Sequence, residues 1–502
     1  MAALTIEILN SGAMALIKGM EDLDLIRIIA SELPQQPTKI VSVQTAIPAF
    51  IGYTEKAQME VPGDLHNKPI RINSLYEYEQ YFGYPSPETG SITVSIATIV
   101  SVPNVNAKID EALRSKFLFH YSMQLYFANG GGLCWIISVG DYTSSAGRIN
   151  AQNLKEGLEA VGKVNEVTLL LFPDAVNLDS AIEYYDLYSM AIAHAAALQD
   201  RFVIMDVYHD TANGDNWDYD INGKSGFGGL RNLLSNPAND FKYAASYFPR
   251  IYTSIVYNYK IPGNQDEDNE ALVIITGSIS GNLAELKIAD NEEYLHAKHA
   301  INSIPMLLPA SPAIAGCYVN VDKNKGVWNS PAGSDVSIDK AMAPQYLVSN
   351  AQQDKLNVDL LTGKSINTIR KFPGHGPVIV WGARTFAGNS NEWKYIFVCR
   401  YFIMIQESVK KTMEQLVHEL NDRSTWLLLK EMINNYLIDQ WRSGALKGST
   451  AQEAYFVQVG LGQTMTDQDI EEGRLVVQIG LAMLRPAEFV ILRLATKMLP
   501  ES

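Results

Sequence analysis

The sequence predicts a multidomain protein of mixed class, α/β in its middle and α+β at its C-terminal end. Three observations carry this. The chain has 502 residues, enough for two to four domains. Between residues 150 and about 310, β and helical patterns alternate, which implies a mostly parallel sheet. Between residues 402 and 494, two amphipathic helical patterns precede three short β-rich runs, which implies helices beside a small sheet.

The elements follow in order. Residues 1–22 carry little signal and read as a tail or an extra helix. Leu25, Ile26, Arg27, Ile28 and Ile29 form a β-compatible run before Pro34 and are expected to make an N-terminal arm strand. A valine- and alanine-rich strand follows within 41–55, then a helical segment within 72–83. Residues 118–128 read as a helix, Gly130, Gly131 and Gly132 as a turn, and 134–140 as a buried strand. In the middle, helices at 151–161 and 180–198 precede strands at 167–173 and 202–206. Residues 210–262 read as a Gly- and Asn-rich loop, a helix and an aromatic strand, and the acidic stretch 264–270 as a solvated outer loop.

Near the C-terminal end, Phe402, Ile405, Val409, Met413, Leu416 and Leu420 are spaced by three and four, which puts them on one helical face. Gln406, Glu407, Lys410, Lys411, Glu414 and His418 fall on the other. A second helix is expected after a cap at Asn421 or Asp422, with Trp426, Leu429, Ile433 and Leu437 as its stripe. The β-rich runs are 455–459, 475–481 and 489–494, and Pro486 stands just before the last, where a missing N–H does least harm.

Composition narrows the class. At 47% hydrophobic and 19% charged residues there is ample material for a core. No run reaches the roughly 18 apolar residues of a membrane span, and no secretory signal is expected at the start, because no basic region precedes an apolar block. Cys134, Cys317 and Cys399 are odd in number and widely spaced, which argues against a disulfide framework and fits a reducing cytoplasm. Of the net charge of −15, −14 lies in the first 372 residues, while 373–500 are balanced. That acidity disfavours nucleic acid, which attracts basic surfaces.

Four motifs stand in a recognisable order. Residues 41–55 read Val-Ser-Val-Gln-Thr-Ala-Ile-Pro-Ala-Phe-Ile-Gly-Tyr-Thr-Glu. Residues 308–322 and 326–332 combine a proline-rich entry, an Ala-Gly pair at Ala315 and Gly316, and Gly326-Val327-Trp328 with a following Pro-Ala. Residues 372–386 read Phe-Pro-Gly-His-Gly-Pro-Val-Ile-Val-Trp-Gly-Ala-Arg-Thr-Phe, and 473–494 close with Gly-Arg-Leu-Val-Val-Gln-Ile-Gly and Arg-Pro-Ala-Glu-Phe-Val-Ile-Leu-Arg-Leu. This order resembles contractile tail sheath proteins, the subunits of contractile phage tails and phage-tail-like injection systems.

The resemblance implies an arm at 1–40, a β-rich outer domain at 41–145, a subtilisin-like α/β domain at 146–370 and an inner C-terminal domain at 371–502. It implies a small C-terminal sheet completed by exchanged strands, with Leu25, Ile26, Arg27, Ile28 and Ile29 at one end and Phe489, Val490, Ile491 and Leu492 at the other. It places one helix against an inner tube, with Gln406, Lys410, Lys411 and Glu414 as contacts. The partners it implies are further copies in stacked rings, an inner tube protein, baseplate and terminal cap proteins, and sheath paralogues where a particle carries them. Neither nucleic acid nor direct membrane insertion is expected, and no cofactor. Assembly is expected in the bacterial cytoplasm, into a phage tail or contractile injection particle, with extracellular release and membrane anchoring of that particle as the alternatives left open.

A subtilisin-like domain raises the question of protease activity. Asp206, at a strand end, fits the acid position. Setting Ser311-Pro-Ala-Ile-Ala-Gly316 on the subtilisin nucleophile motif puts Leu308 at the nucleophile, and leucine cannot attack a carbonyl. His209 is too near Asp206 in sequence to serve as base. The glycine run at 130–132 precedes a strand rather than a helix and so fails as a phosphate loop. Gly223-Lys224-Ser225 lacks the first glycine of a Walker loop, where Asp218 stands. Ile279 occupies the centre of Gly277-Ser-Ile-Ser-Gly281, which is no nucleophile elbow. His296 and His299 share a helix face without a third ligand. The sequence therefore predicts a structural protein rather than an enzyme. A different self-assembling shell or filament protein and a subtilisin-like hydrolase are the alternatives.

Overall fold

A computed structural model describes residues 2–8, 39–99, 102–144, 146–225, 227–261, 264–374, 376–484 and 489–497. The expected arm strand from Leu25 to Ile29 lies outside the described residues, as does Pro486. The fold is mixed α/β with several sheets, and the chain divides into two compact units, Thr45–Cys399 and the pair Met1–Gln44 with Arg400–Ser502.

The larger unit is built on an eight-stranded sheet in the order Ile379–Trp381, Ile366–Arg370, Ala244–Phe248, Phe202–Asp206, Leu169–Leu171, Pro48–Thr54, Cys134–Asp141, Ile70–Ile72. The six inner strands run parallel, and the outermost strand on each side is antiparallel to its neighbour. Inner strands of a parallel sheet are covered on both faces, so they read as continuous apolar runs. Pro48–Thr54, Leu169–Leu171 and Phe202–Asp206 are buried at every position.

Crossover helices start where the sequence places a cap. Asn150 and Ser180 accept from the backbone two residues on, opening helices Ala151–Val161 and Ala181–Leu198. The first lies close on the sheet because Gly157 faces it: a Cβ there would stand 2.5 Å from Ile51 Cγ2. A second sheet joins Gly281–Asn282, Ile274–Gly277, Ile92–Ile99 and Val102–Ile109.

Two expectations need correction. Residues 264–270 are not a plain loop: Asn264–Asp268 pairs with Lys260–Ile261 as a small antiparallel ribbon, stabilised where Asp268 meets Lys260 and Lys298. Acidic composition signalled solvent exposure but not the pairing. The expected limit at 145/146 also runs through the eight-stranded sheet, since Pro48–Thr54 and Cys134–Asp141 pair beside Leu169–Leu171.

The smaller unit holds helices Ile396–Glu414 (its first residues belong to the larger unit) and Arg423–Arg442 with a four-stranded sheet, in the order Ala2–Ile8, Phe489–Lys497, Arg474–Ala482, Tyr455–Val459. The two antiparallel pairings are in register over their length, and Ala2–Ile8 adds in parallel. The strand at Ala2–Ile8 replaces the uninformative tail read from the sequence. Its alternation of Leu4, Ile6 and Ile8 with Thr5 and Glu7 is the period of a strand and was the available signal.

Candidate assembly surface

The four-stranded sheet is the centre of this surface. Leu475, Val477, Ile479 and Leu481 alternate along Arg474–Ala482 and are fully buried. Tyr455 anchors the neighbouring strand to the second helix, its hydroxyl donating to Asn434 O at 3.2 Å. Phe456 sits opposite Gly480, and a Cβ on Gly480 would stand 2.1 Å from the Phe456 ring, so the ring covers the glycine backbone. Phe489–Lys497 then pairs with Arg474–Ala482 from Ala482↔Phe489 to Arg474↔Lys497. On its far side, Ala2–Ile8 runs from Ala2↔Val490 to Ile8↔Thr496. In the single chain, both chain ends therefore add to one sheet, and the N-terminal strand forms its outer edge.

Two helices flank this sheet in sequence. Asp422 caps the second, accepting from Ser424 N and Thr425 N, and Leu429, Ile433 and Leu437 are buried as the spacing predicts. Asn421, the other cap expected, instead accepts from the Trp426 indole at 2.8 Å. The first helix spans Ile396–Glu414, not 402–420, and Leu420 is exposed beyond it.

Its polar face is also shorter than the spacing implied. Every residue from Tyr401 to Val409 is buried, including Gln406 and Glu407. A helix buried all round has no solvent stripe. Part of the cover is the extended chain before residue 45: Val43 N donates to Ser408 Oγ at 3.0 Å, and Ser42 hydrogen-bonds the Tyr436 hydroxyl. Gln406 is thus corrected from an outward contact to a buried residue. Lys410 is half-buried, with its ammonium 3.6 Å from Glu407, while Lys411 and Glu414 are exposed.

The residues weighed for protease chemistry have defined places in the structure. Asp206 is buried, and its Oδ1 accepts from Ala310 N at 2.7 Å and Ser311 N at 3.1 Å. It caps helix Ser311–Lys325 from the end of a neighbouring strand. Burial raises its pKa, and these hydrogen bonds oppose the rise. Leu308 is fully buried at the end of Met306–Leu308, and His209 pairs with Asp220 at 2.8 Å.

Sequence reasoning missed a matching residue. Asp174 lies just after Leu169–Leu171 and accepts from Tyr53 N at 2.7 Å and Leu118 N at 2.6 Å, at the start of helix Phe119–Ala128. That helix has no local side-chain cap, so Asp174 supplies one from a distance. Burial pushes its pKa up to about 7. The Pro173-Asp174 pair at a strand end was the only sequence signal.

The chain is thus a large α/β unit joined in sequence to a small sheet to which both the first and the last described strands add, with Asp174 and Asp206 engaged as helix caps. The comparisons name it more closely. Residues 389–497 match the family model of the phage tail sheath C-terminal domain. Over nearly the whole length the chain is similar to a protein in the 6-fold symmetrised baseplate of the anti-feeding prophage, at 25% identity and TM-score 0.57, covering 96% of this chain and 98% of that one. It is similar to a protein of the contracted helical sheath of the same particle, at 24% identity and TM-score 0.58, covering 97% and 99%. It also resembles a protein of the contracted PVC sheath complex of an extracellular contractile injection system, at 22% identity and TM-score 0.57, covering 97% of each chain. Comparison with curated proteins gives no match.

Proposed function

We propose that the protein is a structural subunit of the contractile sheath of a phage tail or phage-tail-like injection system. Copies stack as rings around an inner tube protein, bounded by baseplate and terminal cap proteins. The observation that carries this reading is the C-terminal sheet, whose family match coincides with the place where both chain ends add as strands. Such strands exchange between identical molecules at little cost, because the same register is made in trans as in cis. Each exchanged strand contributes several backbone hydrogen bonds at about 1 kcal/mol net each, so a few per subunit link the rings into a continuous mesh. The mesh holds while subunits rotate and slide during contraction. The extended state is metastable and released by the baseplate, so no nucleotide or metal is required.

In this reading the larger unit is a subtilisin-like body without a catalytic triad. Its parallel central sheet and the position of Asp206 beside the Ser311–Lys325 helix support that kinship. Its role is structural, and casein digestion by the purified protein should be nil.

Electron microscopy of the purified protein tests the reading directly. Hollow, striated tubes of stacked rings are expected. A protein that stays monomeric at every concentration and salt, or that builds solid filaments or closed shells, is not a sheath.

A further inference from the structure

The strand Ala2–Ile8 and the chain just before Thr45 are held in different ways. Among the described residues, Ala2–Ile8 is an edge strand that pairs through its backbone with Phe489–Lys497 alone. Residues 39–44 lie instead as a strap across two helices of the smaller unit. Ile40 is buried. Val43 N donates to Ser408 Oγ on Ile396–Glu414 at 3.0 Å, and the hydroxyls of Ser42 and of Tyr436 on Arg423–Arg442 stand 3.0 Å apart. Ser408 is 1% exposed, within a buried stretch of helix where serine is otherwise a poor choice. Its hydroxyl proton goes to Met404 O at 2.6 Å, which leaves its lone pairs for the Val43 N–H. The covalent chain limits where this strap can go. Ala46 and Ile47 are buried, Ile47 N donates to Thr168 Oγ1 at 2.7 Å, and the buried strand Pro48–Thr54 follows directly. Four residue steps from Ile47, Val43 stays within about 14 Å of that fixed point. Residues 9–38 separate the strap from Ala2–Ile8, and a fully extended chain of that length reaches on the order of 100 Å. A strand on so long a tether has the reach of a neighbouring copy; the strap has almost none.

We propose that the exchange of the N-terminal end stops short of residue 39. Ala2–Ile8 passes to a neighbour, while residues 39–44 stay on the Ile396–Glu414 and Arg423–Arg442 helices of their own chain and fix the point from which the arm leaves. This rests on the sheath reading, in which each subunit's neighbours are copies of itself. When subunits move during contraction, pull on the arm reaches Ile40, Ser42 and Val43 before Thr45. It passes into those two helices rather than along the chain into the eight-stranded sheet.

Two cysteine locks test this on the full chain, under conditions where the unaltered protein forms tubes. Absence of tubes there counts against the sheath reading itself. Val43→Cys/Ser408→Cys closes the strap, since a backbone N 3.0 Å from Oγ brings the two Cα atoms within disulfide range. Leu4→Cys/Leu492→Cys closes the strand at a register pair. Each is closed before assembly by oxidation, or by dibromobimane where the disulfide does not form. Cys134, Cys317 and Cys399 are buried and do not compete. The closed strap should leave the yield of tubes unchanged, and the closed strand should give none until its disulfide is reduced. Oxidised after assembly instead, the strap pair should run as a single chain on a denaturing gel and the strand pair as a ladder. A ladder from the strap pair, or loss of tubes from the closed strap alone, overturns the proposal. Tubes from the closed strand overturn the exchange itself, and the proposal with it. Ser408→Ala removes the acceptor of the Val43 N–H, so its tubes should break to shorter lengths under shear than unaltered ones. Equal lengths overturn the strap as the path of the pull.

Discussion

In the larger unit, the eight-stranded sheet ends on both sides in three-residue strands, Ile70–Ile72 and Ile379–Trp381, each antiparallel to its neighbour. The four-stranded sheet of the smaller unit ends differently. Its outer strands are Ala2–Ile8 and Tyr455–Val459, seven and five residues long, and one of them is the chain's own N-terminal end. Short edges resist pairing with another chain, and long edges invite it. In the larger unit, Asp174 and Asp206 cap helices from strand ends. The smaller unit depends on segments far away in sequence, residues 2–8 and the stretch around Val43. The difference marks the edge on which the proposed association rests: the larger sheet ends in two short strands, and the smaller one in the longer strand Ala2–Ile8.

The largest expected effect comes from breaking the second arrangement. Deleting residues 2–8 removes the outer parallel strand and should abolish tubes in electron micrographs. The larger unit uses none of those residues in its sheets, so its thermal transition should persist. Tubes of normal length from the truncated chain would show that the terminal edge is dispensable.

Breaking the first arrangement should cost stability instead. Asp206→Ala leaves the buried N–H groups of Ala310 and Ser311 without their acceptor. A loss of about 2–5 kcal/mol in urea unfolding is expected. A hydrolase acid would give a different signature, with lost casein digestion and little change in stability.

A smaller effect follows from Asp174. Its folded-state pKa, raised by burial to about 7, lies above the ordinary carboxylate value of 3.8. The folded state holds this proton more tightly than the unfolded chain does. The resulting stability is complete below about pH 4 and is lost as pH rises through about 7, at up to about 1.4 kcal/mol per pH unit. Asp174→Asn, compared with the unaltered protein by urea unfolding from pH 4 to 8, should flatten that slope even though it lowers stability throughout. An unchanged slope would mean the carboxyl is already ionised in the fold.

How much of this was legible in the sequence divides along the same line. Helices Ala151–Val161 and Arg423–Arg442 and strands Phe202–Asp206 and Tyr455–Val459 were readable because caps, apolar runs and periodicity are local. What was not readable depends on distant partners. Nothing near Gln406 says that its helix is covered all round, because part of the cover comes from residue 43. Nothing near Asp174 says that it caps a helix beginning more than fifty residues earlier. The Ala2–Ile8 strand had a local signal in its alternation, but its partner, Phe489–Lys497, lies at the other end of the sequence.

The smallest effect on folding, and the most selective one on assembly, is expected at Lys410 and Lys411. With Gln406 buried, the outward part of the Ile396–Glu414 helix narrows to its last turn, where Lys411 and Glu414 are exposed and Lys410 is half-buried beside Glu407. Lys410→Glu/Lys411→Glu replaces two cations at a helix C-terminal end, where the dipole favours positive charge. The change costs about 0.5 kcal/mol at exposed Lys411 and about 1 kcal/mol more at half-buried Lys410, where a carboxylate would stand beside Glu407, so the unfolding midpoint should move modestly. If this turn meets the inner tube only while the sheath is extended, the variant should assemble poorly as extended particles and normally as contracted tubes. Because the contact is charged, rising salt should narrow the gap between variant and unaltered protein by weakening the latter. Equal yields of extended particles would remove these lysines from the tube contact.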